Sequence, residues 1–439
     1  MTRHASWLLV ASLLFLAACS DSANKIGSTL KGDRVPAIQA THEIQPDSAL
    51  KDSKPLLPPS VVTQSWPQAG YDTLHVLPAL DAASSPHLLW RDSIGAGSGS
   101  DQKLLASPVA GRESIYAMDA KGVVSALDLE TGHKKWTFDT TPKERDDPAM
   151  GGGLALDGPT LFATTGFGEV LAIDAGTGVL KWRKALLNPL RAAPTVAEGR
   201  VYALSIANDL NALDAETGEI LWHQAGASES ATLMGASSPA VIEDTVIAAY
   251  NSGEIFALRA QNGRALWNYM LAAPASVGAL PAIADIRGLP VVDRGAVYAI
   301  SHSGRIAAID QRTGERLWES DIGGINTPVL AEDALFLYGG DHQLMALARV
   351  NGRVMWIRSL DKREKPEEPD SDPLVWTGPL LAHDRLWMVN SAGFLIAFSP
   401  DDGAPLERIE LGSPAYLSPI LVNKTLYILT DEGKLVALR

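Results

Sequence analysis

One short unit recurs along this chain, and its spacing leaves few folds open. GVVSALDLETGHKKW runs from Gly122 to Trp136 and GEVLAIDAGTGVLKW from Gly168 to Trp182. NDLNALDAETGEILW ends at Trp222, GEIFALRAQNGRALW at Trp267, GRIAAIDQRTGERLW at Trp318 and HQLMALARVNGRVMW at Trp356. A seventh copy, GFLIAFSPDDGAPLE, has Glu407 where the others have Trp, and an eighth begins at Gly433 and stops with the chain at Arg439. Each full copy places ten residues between its first turn and its second Gly, then four to the Trp. Copies follow one another at roughly 44 residues, the length of a four-stranded propeller blade.

Each copy reads as strand, turn, strand, turn, strand. Around the first, Ile115 and Ala117 alternate as in a half-buried strand, Lys121-Gly122 turns the chain, and Val124, Ala126 and Leu127 begin the next strand. Thr131-Gly132 turns it again, Gly supplying the left-handed backbone of a tight hairpin. Trp136 then falls on the outermost strand. Pro108-Val109, Pro194-Thr195-Val196, Pro239-Ala240-Val241, Pro328-Val329 and Pro419-Ile420 mark a short strand ahead of several copies, innermost in its blade. A Trp repeated at one spacing packs between blades more readily than it stacks on a ligand. Asp128, Asp174, Asp214 and Asp310 read as turn residues that bind backbone N–H groups, not as catalytic acids. The truncated eighth copy lacks an outer strand, and HLLWRDSIG near the front holds Trp90 with no repeat before it. Pairing the two closes the ring and removes exposed sheet edges. The expected fold is all-β: an eight-bladed β-propeller of four-stranded antiparallel blades, closed by its N- and C-terminal strands.

The front of the chain is of another kind. Arg3 and His4 precede an apolar run from Trp7 to Ala18, too short for a membrane span and suited to a secretory signal. Residues 1–18 are the expected signal, 19–60 a flexible tether rich in Ser, Asp, Lys and Pro, and 61–439 the propeller. Cys19 is the one cysteine, so the body has no disulfide and rests on its core. The net charge of −14 argues against a nucleic-acid partner.

Leu16-Ala17-Ala18-Cys19 resembles the bacterial lipobox, which implies acylation at Cys19; Ser20, where an Asp would signal otherwise, implies sorting to the outer membrane. The ALD-x-x-TG-x-x-x-W pattern resembles the repeat shared by quinoprotein dehydrogenases and the BamB family of outer-membrane assembly lipoproteins. WD40 repeats are unlike it, since no Trp-Asp dipeptide occurs. The opening SWPQAGYD and the stretch DIRGLPVVDRGAVYAISHSGRIAAID extend the resemblance to the BamB family. That resemblance implies a non-catalytic scaffold at the periplasmic face of the outer membrane. It would act as a monomer within the β-barrel assembly (BAM) complex, bound to a POTRA domain of BamA and supporting protein insertion. It also implies two binding loops: Ala231-Thr232-Leu233-Met234-Gly235, and Asp285-Ile286-Arg287. Leu233, Met234, Gly235, Asp285 and Arg287 are therefore the candidate partner-binding residues. The family often has a basic residue where Met234 stands, and some members an acidic one where Arg287 stands.

The alternative is a periplasmic dehydrogenase using PQQ and calcium. A vicinal disulfide is impossible with one Cys, and no acidic cluster has calcium-loop spacing. The carboxylates of Glu144 to Asp147 and of Glu364 to Asp372 sit among Lys and Pro, as in solvated loops. The dispersed histidines form no zinc motif. Gly151-Gly152-Gly153 lacks the Lys-Ser/Thr of a phosphate loop and is expected to be a flexible turn before Leu154. No catalytic residue, metal or cofactor is assigned. A ring of eight blades also leaves an axial channel in which a ligand could sit.

Overall fold

Each full repeat copy becomes the third strand and the start of the fourth strand of a blade, with the second strand just ahead of it, in the computed structural model, which describes residues 44–145, 148–229, 231–271, 283–368 and 370–439. The expected signal, Cys19 and the tether up to residue 43 lie outside the described residues. Blade 1 runs outward from the axis through Val109–Ala110, Ser114–Met118, Val123–Asp128 and Lys134–Asp139. Blades 2 to 7 repeat this order over residues 152–185, 195–225, 240–270, 291–320, 329–359 and 376–410. Blade 8 is built from both chain ends. Ile420–Val422, Thr425–Thr430 and Lys434–Leu438 are followed by Leu88–Ser93, with Leu88 opposite Leu438 and Ser93 opposite Lys434. The expected propeller and its closure are both present.

Blade position explains the strand compositions. The second and third strands of a blade are covered on both faces by neighbouring blades and are buried nearly throughout, so they read as apolar runs of Val, Ile, Leu and Ala. The outermost strands alternate exposed and half-buried residues.

The recurrent Trp closes every seam but the one between blades 7 and 8. Nε1 of Trp136 donates to the Ala175 carbonyl at 3.0 Å, that of Trp182 to Ala215 at 3.1 Å and that of Trp222 to Ala260 at 2.8 Å. Trp267, Trp318 and Trp356 repeat the bond to Gln311, Arg349 and Pro400. Trp90 carries it over the closure to Leu129 at 3.3 Å. Every acceptor lies in the turn between third and fourth strands of the next blade. The Gly of that turn lies under the ring: a Cβ on Gly263 would stand 2.5 Å from Trp222. With φ near +70°, that Gly is required by backbone and by space alike. The turn itself is wound on its Asp. Asp214 Oδ1 accepts from the Thr217 N–H at 2.8 Å and its hydroxyl at 3.0 Å.

The missing Trp and the missing turn are one event. Blade 7 has Glu407, paired with Arg385, at the Trp position, and it faces blade 8. There the turn is replaced by the chain ends, where His87 and Arg439 exchange backbone hydrogen bonds at 3.0 and 2.9 Å. A Trp at 407 would have no turn to cap.

The compact unit begins at Gln45, ahead of the boundary expected at Val61. The Asp47 N–H donates to the carbonyl of Val354, the first residue of the outer strand of blade 6, its carboxylate pairs with Arg353 just ahead of that strand, and Lys54 pairs with Asp401 of blade 7. From there the chain forms a strap across one end of the axis and touches every blade. Leu56 bonds Glu332 and Asp333 of blade 6, Thr63 bonds Asn423 of blade 8, and Trp66 pairs with Ala110 of blade 1 in both directions. Pro67 accepts from Leu156 of blade 2, Thr73 from Val241 of blade 4, and Leu74 from Val292 of blade 5. The Gln68 side chain takes both backbone groups of Val196 in blade 3, at 2.8 and 2.9 Å. Leu80 bonds Leu381 and His383 of blade 7. The strap thus satisfies inner-strand N–H groups that would otherwise be unpaired.

Gly151-Gly152-Gly153 is not a turn before Leu154. Gly152–Asp157 is the inner strand of blade 2. A Cβ on Gly153 would lie 2.5 Å from Ala193 Cα, and one on Gly152 would lie 2.1 Å from the Thr164 carbonyl oxygen. The glycines permit close backbone approach beside the axis.

Candidate partner-binding site

The two loops singled out in the sequence enter blades 4 and 5 from the end of the ring opposite the strap. The first leaves blade 3 at Ala225, where the Asn208 carbonyl accepts from the Gly226 N–H at 2.8 Å. The second reaches blade 5 at Val291. Two bonds join them: the Leu233 N–H donates to Asp285 Oδ2 at 2.8 Å, and the Ser237 hydroxyl donates to the Gly288 carbonyl at 3.1 Å. Asp285 is 2% exposed, and its own carbonyl accepts from the His302 N–H at 2.9 Å. Burial raises its pKa above the ordinary carboxylate value, opposed by the Leu233 N–H and the charge of Arg287. Asp285 is thus a clamp between loops and offers no charge to a partner at the surface.

The other residues divide. Leu233 is half-buried and Met234 is 47% exposed, so the apolar contact surface lies there. Gly235, at φ +90°, packs on the Arg287 guanidinium, whose Nε would lie 3.1 Å from an added Cβ. Arg287 turns inward, lining the axial cavity with Gly235, and burial lowers its pKa from the ordinary arginine value. The structure therefore joins all five residues in one cluster but leaves chiefly Met234 and part of Leu233 at the surface. Sequence reasoning did not single out Arg191 and Asn326, which line the same cavity. The available signal was a polar residue three or four places ahead of an inner strand.

Among the described residues, no group of three or more His, Cys, Asp or Glu is placed to hold a metal, and no helix is long and apolar enough to cross a membrane. Residues 120–358, more than half of the chain, match the family model for the outer membrane protein assembly factor BamB. The chain belongs to the BamB family. The family's Yersinia pestis member, an outer membrane protein assembly factor, is 26% identical over 371 residues, spanning 83% of this chain and 92% of the relative. The crystal structure of BamB from Moraxella catarrhalis superposes with a TM-score of 0.66 at 19% identity, covering 81% of this chain and all of that one. Quinohemoprotein alcohol dehydrogenase from Comamonas testosteroni also superposes with a TM-score of 0.66, at 14% identity, over 86% of this chain and 81% of its own. That likeness is one of fold alone. BamB relatives are assembly factors, and this chain is not a dehydrogenase.

Proposed function

We propose that this protein is a scaffold lipoprotein of the BAM complex, anchored by lipid on Cys19 at the periplasmic face of the outer membrane. A single copy binds a POTRA domain of BamA through the paired loops entering blades 4 and 5, and supports insertion of outer-membrane proteins. Family membership supports the assembly role, and Leu16-Ala17-Ala18-Cys19 supports the anchor. The observation that carries the binding site is the Leu233 N–H to Asp285 bond. It makes two loops one unit, so the apolar contact of Leu233 and Met234 is ordered before a partner arrives and little ordering entropy remains to be lost. Anchoring both partners at one membrane raises their effective concentration, so a small contact suffices.

The test is capture of BamA from detergent-solubilised outer membranes by the full-length lipoprotein and its Leu233→Asp and Met234→Asp variants. Wild type retains BamA, and the variants retain it at least about tenfold less at unchanged urea midpoints. Equal capture by both variants removes the site. No capture by wild type removes the partner.

A further inference from the structure

We infer that the axial channel is a site for a small anion bearing a carboxylate or phosphate group, held by Arg191 and Asn326. The cavity there measures about 190 Å³. That exceeds the roughly 150 Å³ of an apolar cavity that accepts benzene, so a small organic anion fits. The channel is blind: the strap residues Trp66, Gly70 and His75 form its floor, and the loops entering the inner strands form its wall. Arg191, Arg287 and Asn326 hold equivalent places in the loops of that wall, three or four residues ahead of the inner strands beginning at Thr195, Val291 and Val329.

Two observations turn this cavity into a site. Nε of Arg191 and Nδ2 of Asn326 are buried without a hydrogen-bond partner among the described residues. Both atoms are closed off by the wall as it stands, so an occupant reaches them through a turn of the side chain, and native proteins rarely leave such donors unmet. The hydroxyls beside them are already engaged: Ser238 donates to the Ala193 carbonyl, and Thr327 accepts from the Leu289 N–H. The second observation is charge. The chain carries a net −14, yet among the described residues no Asp, Glu or Lys lines the cavity, and two guanidinium groups stand in its wall. Asp285, behind Arg287, already accepts from Leu233, and His75 on the floor is held uncharged by burial, with a pKa lowered to about 4. Beside the hydroxyls of Ser107, Tyr416 and Ser418, the wall therefore offers two arginines and a side-chain amide, which match the lone pairs of a carboxylate or phosphate. Neither Arg191 nor Asn326 belongs to the BamA-binding loops, so this site stands or falls apart from the proposed function.

The test is calorimetric titration of the full-length protein in detergent with succinate, benzoate and inorganic phosphate, at constant ionic strength in a chloride background. At least one probe saturates one site per chain, and the succinate and benzoate arms against the phosphate arm identify the group. Arg191→Gln and Asn326→Leu each weaken that binding at least about tenfold, while Arg191→Lys restores part of it; ligand-free melting curves check folding. Absence of saturable binding by all three probes overturns the assignment. Undiminished binding in either Arg191→Gln or Asn326→Leu overturns it too.

Discussion

Replacing Trp222 by Ala tests the seam that holds the ring together. Its side chain is 8% exposed, lies over Gly263 of the next blade, and packs on Tyr202 with ring centroids 6.0 Å apart. Truncating a buried Trp to Ala costs about 3–5 kcal/mol. Part of that loss comes from the Ala260 carbonyl, which is buried and gives up its 2.8 Å bond, worth about 1 kcal/mol. The expected loss is about 4 kcal/mol for Trp222→Ala and about 1–2 kcal/mol for Trp222→Phe, which keeps a ring over the glycine. Leu221, next in the chain and 46% exposed, provides the control at below about 1 kcal/mol. Urea unfolding followed by far-ultraviolet circular dichroism reads the difference. With a denaturant slope of about 3 kcal/mol/M, the Trp222→Ala midpoint falls by roughly 1 M. A shift no larger than that of Leu221→Ala refutes the seam argument.

Glu407→Trp brings no stabilisation, because blade 8 offers no turn beneath it and the Arg385 pair is lost; a urea midpoint raised by as much as Trp222→Ala lowers its own contradicts this. Gln68→Ala frees both backbone groups of Val196, and hydrogen exchange reads faster exchange at the Val196 amide than at Val201 of the same blade. His75 has a pKa lowered from 6.5 to about 4 by burial, so its contribution is intact above pH 6.5 and is lost as pH falls toward 4, where the unfolded chain binds the proton first. Between pH 7 and 5 wild type loses about 2 kcal/mol through this group. His75→Asn, which suits the φ of +59°, removes that part of the pH dependence in urea titrations at the two pH values.

The blades were legible because they repeat. Gly132, Asp128 and Trp136 each perform one task at one spacing; the Gly recurs in six further copies, the Trp in five and the Asp in three. Closure was legible for the same reason, since Trp90 lacked a repeat and Arg439 lacked a strand. The strap was not, because residues 45–83 meet the blades through backbone groups, the amide of Gln68 and scattered ion pairs such as Asp47–Arg353 and Lys54–Asp401, and leave no period. Asp285 illustrates a second limit. Its charge promised a surface contact, whereas the fold buries it against the Leu233 N–H. Gly153 illustrates a third: a run of glycines reads as a loop unless the backbone it must approach, here that of Ala193, is known.

Photocrosslinking in living cells tests most directly whether the loop pair is the contact with the assembly machine. A photoreactive amino acid is placed at Met234, and in a parallel strain at Val350, which is 83% exposed in the third-to-fourth-strand turn of blade 6 at the strap end of the ring. The account predicts an adduct with BamA from position 234 and none from 350. No BamA adduct from 234, or adducts of equal yield from both positions, contradicts it.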